Sequence, residues 1–359
     1  MKKITFEIET ITPMFLSGAD QSRAELRAAS IKGLLRFWWR ALQAETDLAE
    51  LCKKESQIFG SSDEKTGGGC SFAIRINNAE NLKPITRGFP GIDKIHTETF
   101  WSNKQNKQIT INILEYLAYG PFDPRNRRIR PYFDTKSKFN LIFHFRDNGH
   151  IDDVLKAIYV FSLFGGLGAR CRNGFGSFSI SKQEGDISSF GEIISPANKY
   201  PINRLRELIS NNSPVQPYSS FSQGTKIFCA KQPMNTWHES LADVGKIYRG
   251  IRVGVNKLNN AVFEQKHHFD KRQYLGAPLD PYQENFHSFL DRHAKPYFIK
   301  VAIEGSKYRS YILYLPSQYC EGFDKGRHGA INHTEVNREF IDVCNEFNTF
   351  LSQSMEPIL

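Results

Sequence analysis

Along the first 180 residues the spacing of apolar side chains switches between a period of two and a period near 3.6, and the order of those switches restricts the fold strongly. Ile4, Phe6 and Ile8 alternate with Thr5, Glu7 and Glu9, so the chain opens on a half-buried strand that Pro13 and Gly18 end. IKGLLRFWWRALQAE then reads as a helix N-capped by Ser30, with Ile31, Leu34, Leu35, Trp38 and Leu42 on one stripe. After Gly67, Gly68 and Gly69 comes a second strand, SFAIRI, and KFNLIFHF (138–145) is a third. Residues 151–164 form a strongly apolar helix whose first turn carries Asp152 and Asp153, which suit the helix dipole. Gly165 and Gly166 end it, and SFSI (177–180) is the fourth strand. Strand, helix, strand, strand, helix, strand is the split βαβ order of an α+β, ferredoxin-like fold.

Residues 80–138 interrupt that order with turn signals, a short helix near ITINILEYLAYG and the basic run Arg125, Arg127, Arg128, Arg130, and they read as an insertion. Gly, Ser, Asn and Pro accumulate over 185–217, which predicts a boundary between domains 1–185 and 186–359. The second half repeats the plan: TKIFCA as a strand, ESLADVGKIYRGIRVGVNKL as a helix, PYFIKVAIE and SYILYLP as a strand pair, NREFIDVCNEFNTFLSQSM as a closing helix. The expectation is therefore two ferredoxin-like domains in tandem, a size that 359 residues accommodate.

The formal net charge is +9, and residues 1–180 hold 26 Lys/Arg against 19 Asp/Glu, so the basic excess sits in the first half. A localised excess of this kind points to a polyanionic partner, and 28 Phe with 14 Tyr could supply stacking surfaces as well as core. Six cysteines lie far apart with no CxxC, which excludes a disulfide framework or a zinc cage and predicts reduced thiols. No apolar run reaches membrane-spanning length and MKKITFEIET reads as a strand, so a cytoplasmic protein with no metal or other cofactor is expected.

Within GGLGARCRNGFGSF (165–178), Gly165, Gly166, Gly168, Gly174 and Gly176 allow positive φ or close approach, and Arg170 and Arg172 stand among them. Bare N–H groups and guanidinium forks facing one anion would make a phosphate cradle. The bland alternative is a helix C-cap followed by a glycine hairpin. The loop matches neither the dinucleotide fingerprint nor a P-loop, and RNGFGSF echoes an RRM signature only in part. On the first helix Lys32, Arg36 and Arg40 recur every four residues beside Trp39, which is read as exposed; a solvated face and a nucleic-acid surface fit equally well. The Arg125, Arg127, Arg128 loop has the same two readings. His267 and His268 lack partners at metal or acid–base spacing, and no GxSxG or HExxH is present, so no catalytic residue is expected.

Taken together, TPMFLSGAD, SIKGLLRFWWRAL and FGGLGARCRNGFGSF resemble the RAMP superfamily, and more narrowly the first-numbered RAMP subunit of the type III-B CRISPR (Cmr) complex. The resemblance covers about the first 180 residues; the second half follows through Arg249, Arg252, Arg272, LGAPL and AKPY. It implies tandem RRM-like domains and a non-catalytic role in RNA-guided antiviral defence. The implied partners are the other Cmr subunits, the CRISPR guide RNA near its 3′ end, and target single-stranded RNA. Carried onto matching positions, it makes Lys32, Arg36, Arg40, Gly168, Arg170, Arg172, Gly174 and Gly176 RNA-contact candidates. A second glycine-rich loop is not clear, GFDKGRHGA (322–330) being at most a degenerate one. The competing class is a metal-independent RAMP endoribonuclease that processes guide precursors with a His or Tyr base.

Overall fold

The structure is a computed structural model that describes residues 2–62, 68–90, 96–102, 106–185, 187, 190–191, 193, 202–209, 213–253, 273–276, 294–319 and 333–359. Strand β1 (Lys2–Thr10) is central in the first sheet. It pairs antiparallel with β10 (Phe178–Glu184) on one side and β9 (Lys138–Phe145) on the other, and β2 (Phe72–Asn77) completes the sheet beyond β9. In order of appearance of the four strands the arrangement is 4-1-3-2, with α1 (Ala28–Ala41) and α4 (Ile151–Phe164) as the two crossovers. Period-two burial decides the register: Ile4, Phe6 and Ile8 are all buried, while Thr5, Glu7 and Glu9 stay half-exposed.

The second half builds the same order. Strands β11 (Lys226–Cys229), β12 (Tyr297–Glu304), β13 (Lys307–Tyr314) and β14 (Glu356–Pro357) form the sheet β12-β13-β11-β14, again 4-1-3-2, with α6 (Trp237–Val253) and α7 (His333–Ser354) as crossovers. The tandem ferredoxin-like expectation is met. Phe228, Ile299, Val301 and Ile312 face α6 and α7, whose Leu241, Val244, Phe347 and Leu351 are buried against them. The opposite face, Ile227, Phe298 and Leu313, shares one core with α1 and α4 of the first half. Trp38 lies 5.3 Å from Phe298 and 6.3 Å from Phe164, ring to ring. The layers therefore run sheet, helices, sheet, helices.

Polar ties lock this seam. Lys300, next to Phe298 on the same face of β12, is 2 % exposed, and its ammonium nitrogen donates to the carbonyls of Gly165 (2.8 Å) and Phe178 (3.0 Å). Burial pushes its pKa down to about 7. The glycine loop also runs along the edge of β12. Ile299 N–H donates to Arg172 O at 3.0 Å and Val301 N–H to Ser177 Oγ at 3.2 Å, so an exposed edge is covered.

The insertion holds β3 (Pro84–Ile85), the hairpin β4 (Thr97–Ser102) and β5 (Lys107–Asn112), α3 (Ile113–Leu117), β6 (Phe122–Asp123), β7 (Arg128–Ile129) and β8 (Tyr132–Phe133). Asn112 caps α3 by accepting from Leu114 N (2.9 Å). Ile113, Leu114 and Leu117 are buried against α6 of the second half. Gly245 makes that close approach possible: a Cβ there would stand 2.7 Å from Ile113 Cγ2.

Two local expectations change. The first helix starts at Ala28, and its N-cap is Arg27, not Ser30. A further helix, α2 (Leu48–Phe59), was not anticipated. Asp47 Oδ1 caps it by accepting from Ala49 N (2.8 Å) and Glu50 N (3.4 Å), and Leu51, Ile58 and Phe59 are buried. It covers Trp39, which is 2 % exposed and lies 6.1 Å from the Phe59 ring. The buried face of α1 is therefore Ile31, Leu35, Trp38, Trp39 and Ala41, wider than the stripe first read, and Leu34 and Leu42 are only half-buried.

Two predictions follow from this packing. Gly176 has φ +66°, and a Cβ there would sit 1.9 Å from Leu167 O, so Gly176→Ala should cost more than about 2 kcal/mol in urea denaturation. Lys300 has a folded pKa below its unfolded value, so the folded state binds fewer protons at this site. Its penalty is full below about pH 7 and relieved as pH rises towards the unfolded pKa. The stability of the wild type minus that of Lys300→Met should therefore rise between pH 7 and pH 9, by up to about 1.4 kcal/mol per pH unit. A difference flat with pH would show that Lys300 remains charged in the seam.

Candidate nucleic-acid interface

Each glycine of the 165–178 loop answers to the protein's own neighbouring atoms, backbone or side chain. Gly168 (φ +90°) passes beneath Phe15, whose carbonyl accepts from Ala169 N at 2.7 Å; a Cβ at 168 would lie 2.3 Å from that oxygen. Gly174 (φ +89°) leaves room for Leu241 of α6. Gly174 and Gly176 are buried, so the expectation that they present bare backbone to RNA is corrected: they close the seam. Gly168 is half-buried.

The two arginines of the loop part company. Arg170 has φ +60° and points outwards, its guanidinium against Gly120, where a Cβ would be 2.9 Å from Nη2. Desolvation lowers its pKa, Tyr119 and Tyr116 favour its charge and Arg130 opposes it. Arg172 points inwards. Its Nη1 donates to Lys295 O at 2.6 Å, and its guanidinium lies 4.4 Å from the Phe298 ring centre and 5.3 Å from that of Phe37. Arg172 thus joins α1 to the second sheet, while Arg170 is the exposed cation of the loop.

The cations of α1 gather around α2 instead. Glu55 lies between Arg36 (3.6 Å) and Arg40 (3.4 Å), and Arg36 Nη2 also donates to Phe59 O (3.2 Å) and to Gly60 O. The like charges of Arg36 and Arg40, one turn apart, are thereby offset by one carboxylate. Trp39, expected to be an exposed stacking ring, is core. Arg40 keeps 43 % of its side chain exposed and Lys32 is half-exposed.

In the insertion Asp123 fixes the turn that carries the basic run, accepting from Arg125 N (2.9 Å) and Asn126 Nδ2 (2.8 Å). Arg125 and Arg128 are exposed. Arg127 pairs with Glu115 at 2.8 Å and lies over Phe122. The structure brings this element to Arg170 through Arg130 and Tyr119. Tyr119 is a large aromatic left 57 % exposed beside cations, and no motif singled it out. Its only sequence signal is its place before Gly120, at the end of the short helix read near 110–120.

In the second half Arg249 is buried, pairs with Glu98 at 3.0 Å and lies 4.4 Å from the Phe100 ring, and so pins the β4–β5 hairpin. Arg252 Nη1 donates to the Tyr116 hydroxyl at 3.2 Å. His267, His268, Arg272 and 322–330 lie outside the described residues. Among the described residues no group of three or more His, Cys, Asp or Glu could hold a metal ion, and no helix is long and apolar enough to cross a membrane.

Residues 7–179 match the model of the RAMP superfamily. Two curated relatives from Pyrococcus furiosus are similar: CRISPR system Cmr subunit Cmr1-2, 27 % identical over 192 residues (50 % of this chain, 96 % of that protein), and Cmr1-1, 24 % identical over 186 residues (51 % and 48 %). Over nearly its whole length the chain shares the fold of crystalline Cmr1 from Pyrococcus furiosus in its apo form (TM-score 0.61, 17 % identity, 99 % of this chain and 98 % of that one). It also shares the fold of a chain in a cryo-EM structure of the type III-B Cmr-beta complex bound to cognate target RNA (TM-score 0.52, 13 % identity, 95 % and 99 %). The segment that matches the RAMP superfamily runs from β1 to β10 and includes the first helix and the glycine loop described above.

Proposed function

We propose that this protein is a non-catalytic, RNA-binding subunit of a cytoplasmic type III-B CRISPR complex, contacting guide or target RNA near the 3′ end of the guide. The observation that carries the reading is the grouping of exposed Arg170 with Arg130, Tyr119 and the Arg125–Arg128 turn. Cations that meet phosphate stand there beside a ring that can stack a base. The similarity to Cmr subunits, and the target RNA named for one structure of like fold, support the partner class.

Labelled single-stranded RNA titrated at increasing salt tests this. Affinity should fall linearly on a log–log plot, and Arg170→Gln combined with Arg128→Gln should weaken binding about ten-fold or more while lowering the slope by roughly one to two. Arg172→Gln should behave differently, losing about 2 kcal/mol of stability because a buried hydrogen bond and two ring contacts go. RNA bound equally well by wild type and the double variant would place the interface elsewhere. Incubated alone with guide precursor, with or without Mg²⁺, the protein should leave the RNA intact; a product ending in a 2′,3′-cyclic phosphate that is lost with one His or Tyr would establish the nuclease instead.

A further inference from the structure

Behind Arg172, at the inner end of this interface, lies a second group of cations. The backbone carbonyl of Lys295 holds Arg172, but its side chain turns into the protein. The Lys295 ammonium is buried 4.3 Å from the Tyr248 ring centre and makes no hydrogen bond among the described residues. Desolvation drives its pKa well below the ordinary lysine value, and among the described residues the charged side chains that act on it, Arg172, Arg252 and Arg170, are cations that push the same way. Among the described residues the Tyr248 ring face and the Cys171 thiol, whose pKa burial raises, are the neighbours that favour its charge. Arg252 reaches the same place from the last turn of α6 and holds the Tyr116 hydroxyl of α3. Tyr116 in turn acts on Arg170.

Four separate segments (the glycine loop, α3, the end of α6 and residue 295) thus bring cations and a phenol together, with no carboxylate among the described residues that act on Lys295. Like charges gathered away from water are costly unless an anion completes them. A phosphate has the matching chemistry: several acceptor oxygens for guanidinium forks, an ammonium and a hydroxyl. We propose that Lys295, Arg252, Arg170 and Tyr116 form a seat for one phosphate group, supplied by the RNA backbone. This rests on the RNA-binding reading for the source of the phosphate, though not for the seat itself. Arg172 is a positioning residue here, since it holds the Lys295 backbone while two rings hold its own guanidinium.

Lys295→Met tests the seat, because it removes the charge and leaves the carbonyl that Arg172 needs. Without ligand the variant should melt at or above the wild-type temperature, since a buried cation among cations is gone. Inorganic phosphate, compared with chloride at equal ionic strength, should raise the wild-type melting temperature by several degrees and leave that of the variant unmoved. Single-stranded RNA should bind the variant about ten-fold more weakly, with a salt slope lower by roughly one. Should Lys295→Met fold poorly, Arg252→Gln carries the same three readouts. If both phosphate and RNA treat the variant like wild type, the seat does not exist, whereas RNA binding by wild type would still stand. If wild type ignores RNA yet responds to phosphate through Lys295, the seat stands and its ligand is free phosphate.

Discussion

Helix α4 sets the terms for everything around it. Ile151, Val154, Leu155 and the unbroken run from Ala157 to Phe164 are buried, so the helix is apolar on every side and has to be covered on every side. One sheet can cover only one of those sides. The second sheet supplies the other cover, laying Phe298 and Leu313 on the layer that α4 forms with α1. The two ferredoxin-like units therefore share a helical layer between their sheets, and the loop leaving α4 has no route except through the seam.

That route explains why the loop is rich in glycine and why its polar groups are so fully engaged. Backbone running between two packed layers must find partners for its N–H and C=O groups there. Lys300 satisfies two carbonyls at either end of the loop, and β12 offers Ile299 N–H to Arg172 O and Val301 N–H to Ser177 Oγ. Gly174 and Gly176 allow the close approach. Loop, seam and candidate interface are one construction, and the side chains that escape it are the ones free to meet a ligand.

The fold was largely legible because its signals are local. KFNLIFHF and the helix at 151–164 appear with the expected bounds, and the order of elements in both halves gave the tandem plan. The site was legible only in residue type. Spacing along α1 marked Lys32, Arg36 and Arg40 correctly as off the main apolar stripe, but said nothing of Glu55, which arrives from a helix whose short apolar pattern was passed over. Trp39 was misread for the same reason: whether a ring beside cations is a stacking surface or core depends on what covers it. The capping signal was present in the sequence, Asp47 followed three residues later by Glu50 and then by the apolar Leu51. Tyr116, Lys295 and Arg252 became a group through tertiary contacts between segments up to about 180 residues apart, which no local window reports.

The opposite fates of Arg170 and Arg172 come from one backbone choice. Residues two apart on an extended chain would share a face. Here Asn173 N–H donates to Arg170 O at 2.8 Å, closing a turn, and Arg170 takes φ +60°. The left-handed region costs a non-glycine residue on the order of 1 kcal/mol, and glycine would adopt it freely. In a loop that uses glycine at 168, 174 and 176 for that conformation, stability alone would favour glycine at 170 as well. What an arginine provides there and a glycine cannot is a cation held over Gly120, beside Arg130 and Tyr119, where its charge is opposed by a neighbour and partly stripped of water. A residue strained in its backbone and uncomfortable in its charge does not stabilise the apo fold. An anion bound there, as proposed, would offset the cost of the charge, while the backbone cost stays with the loop.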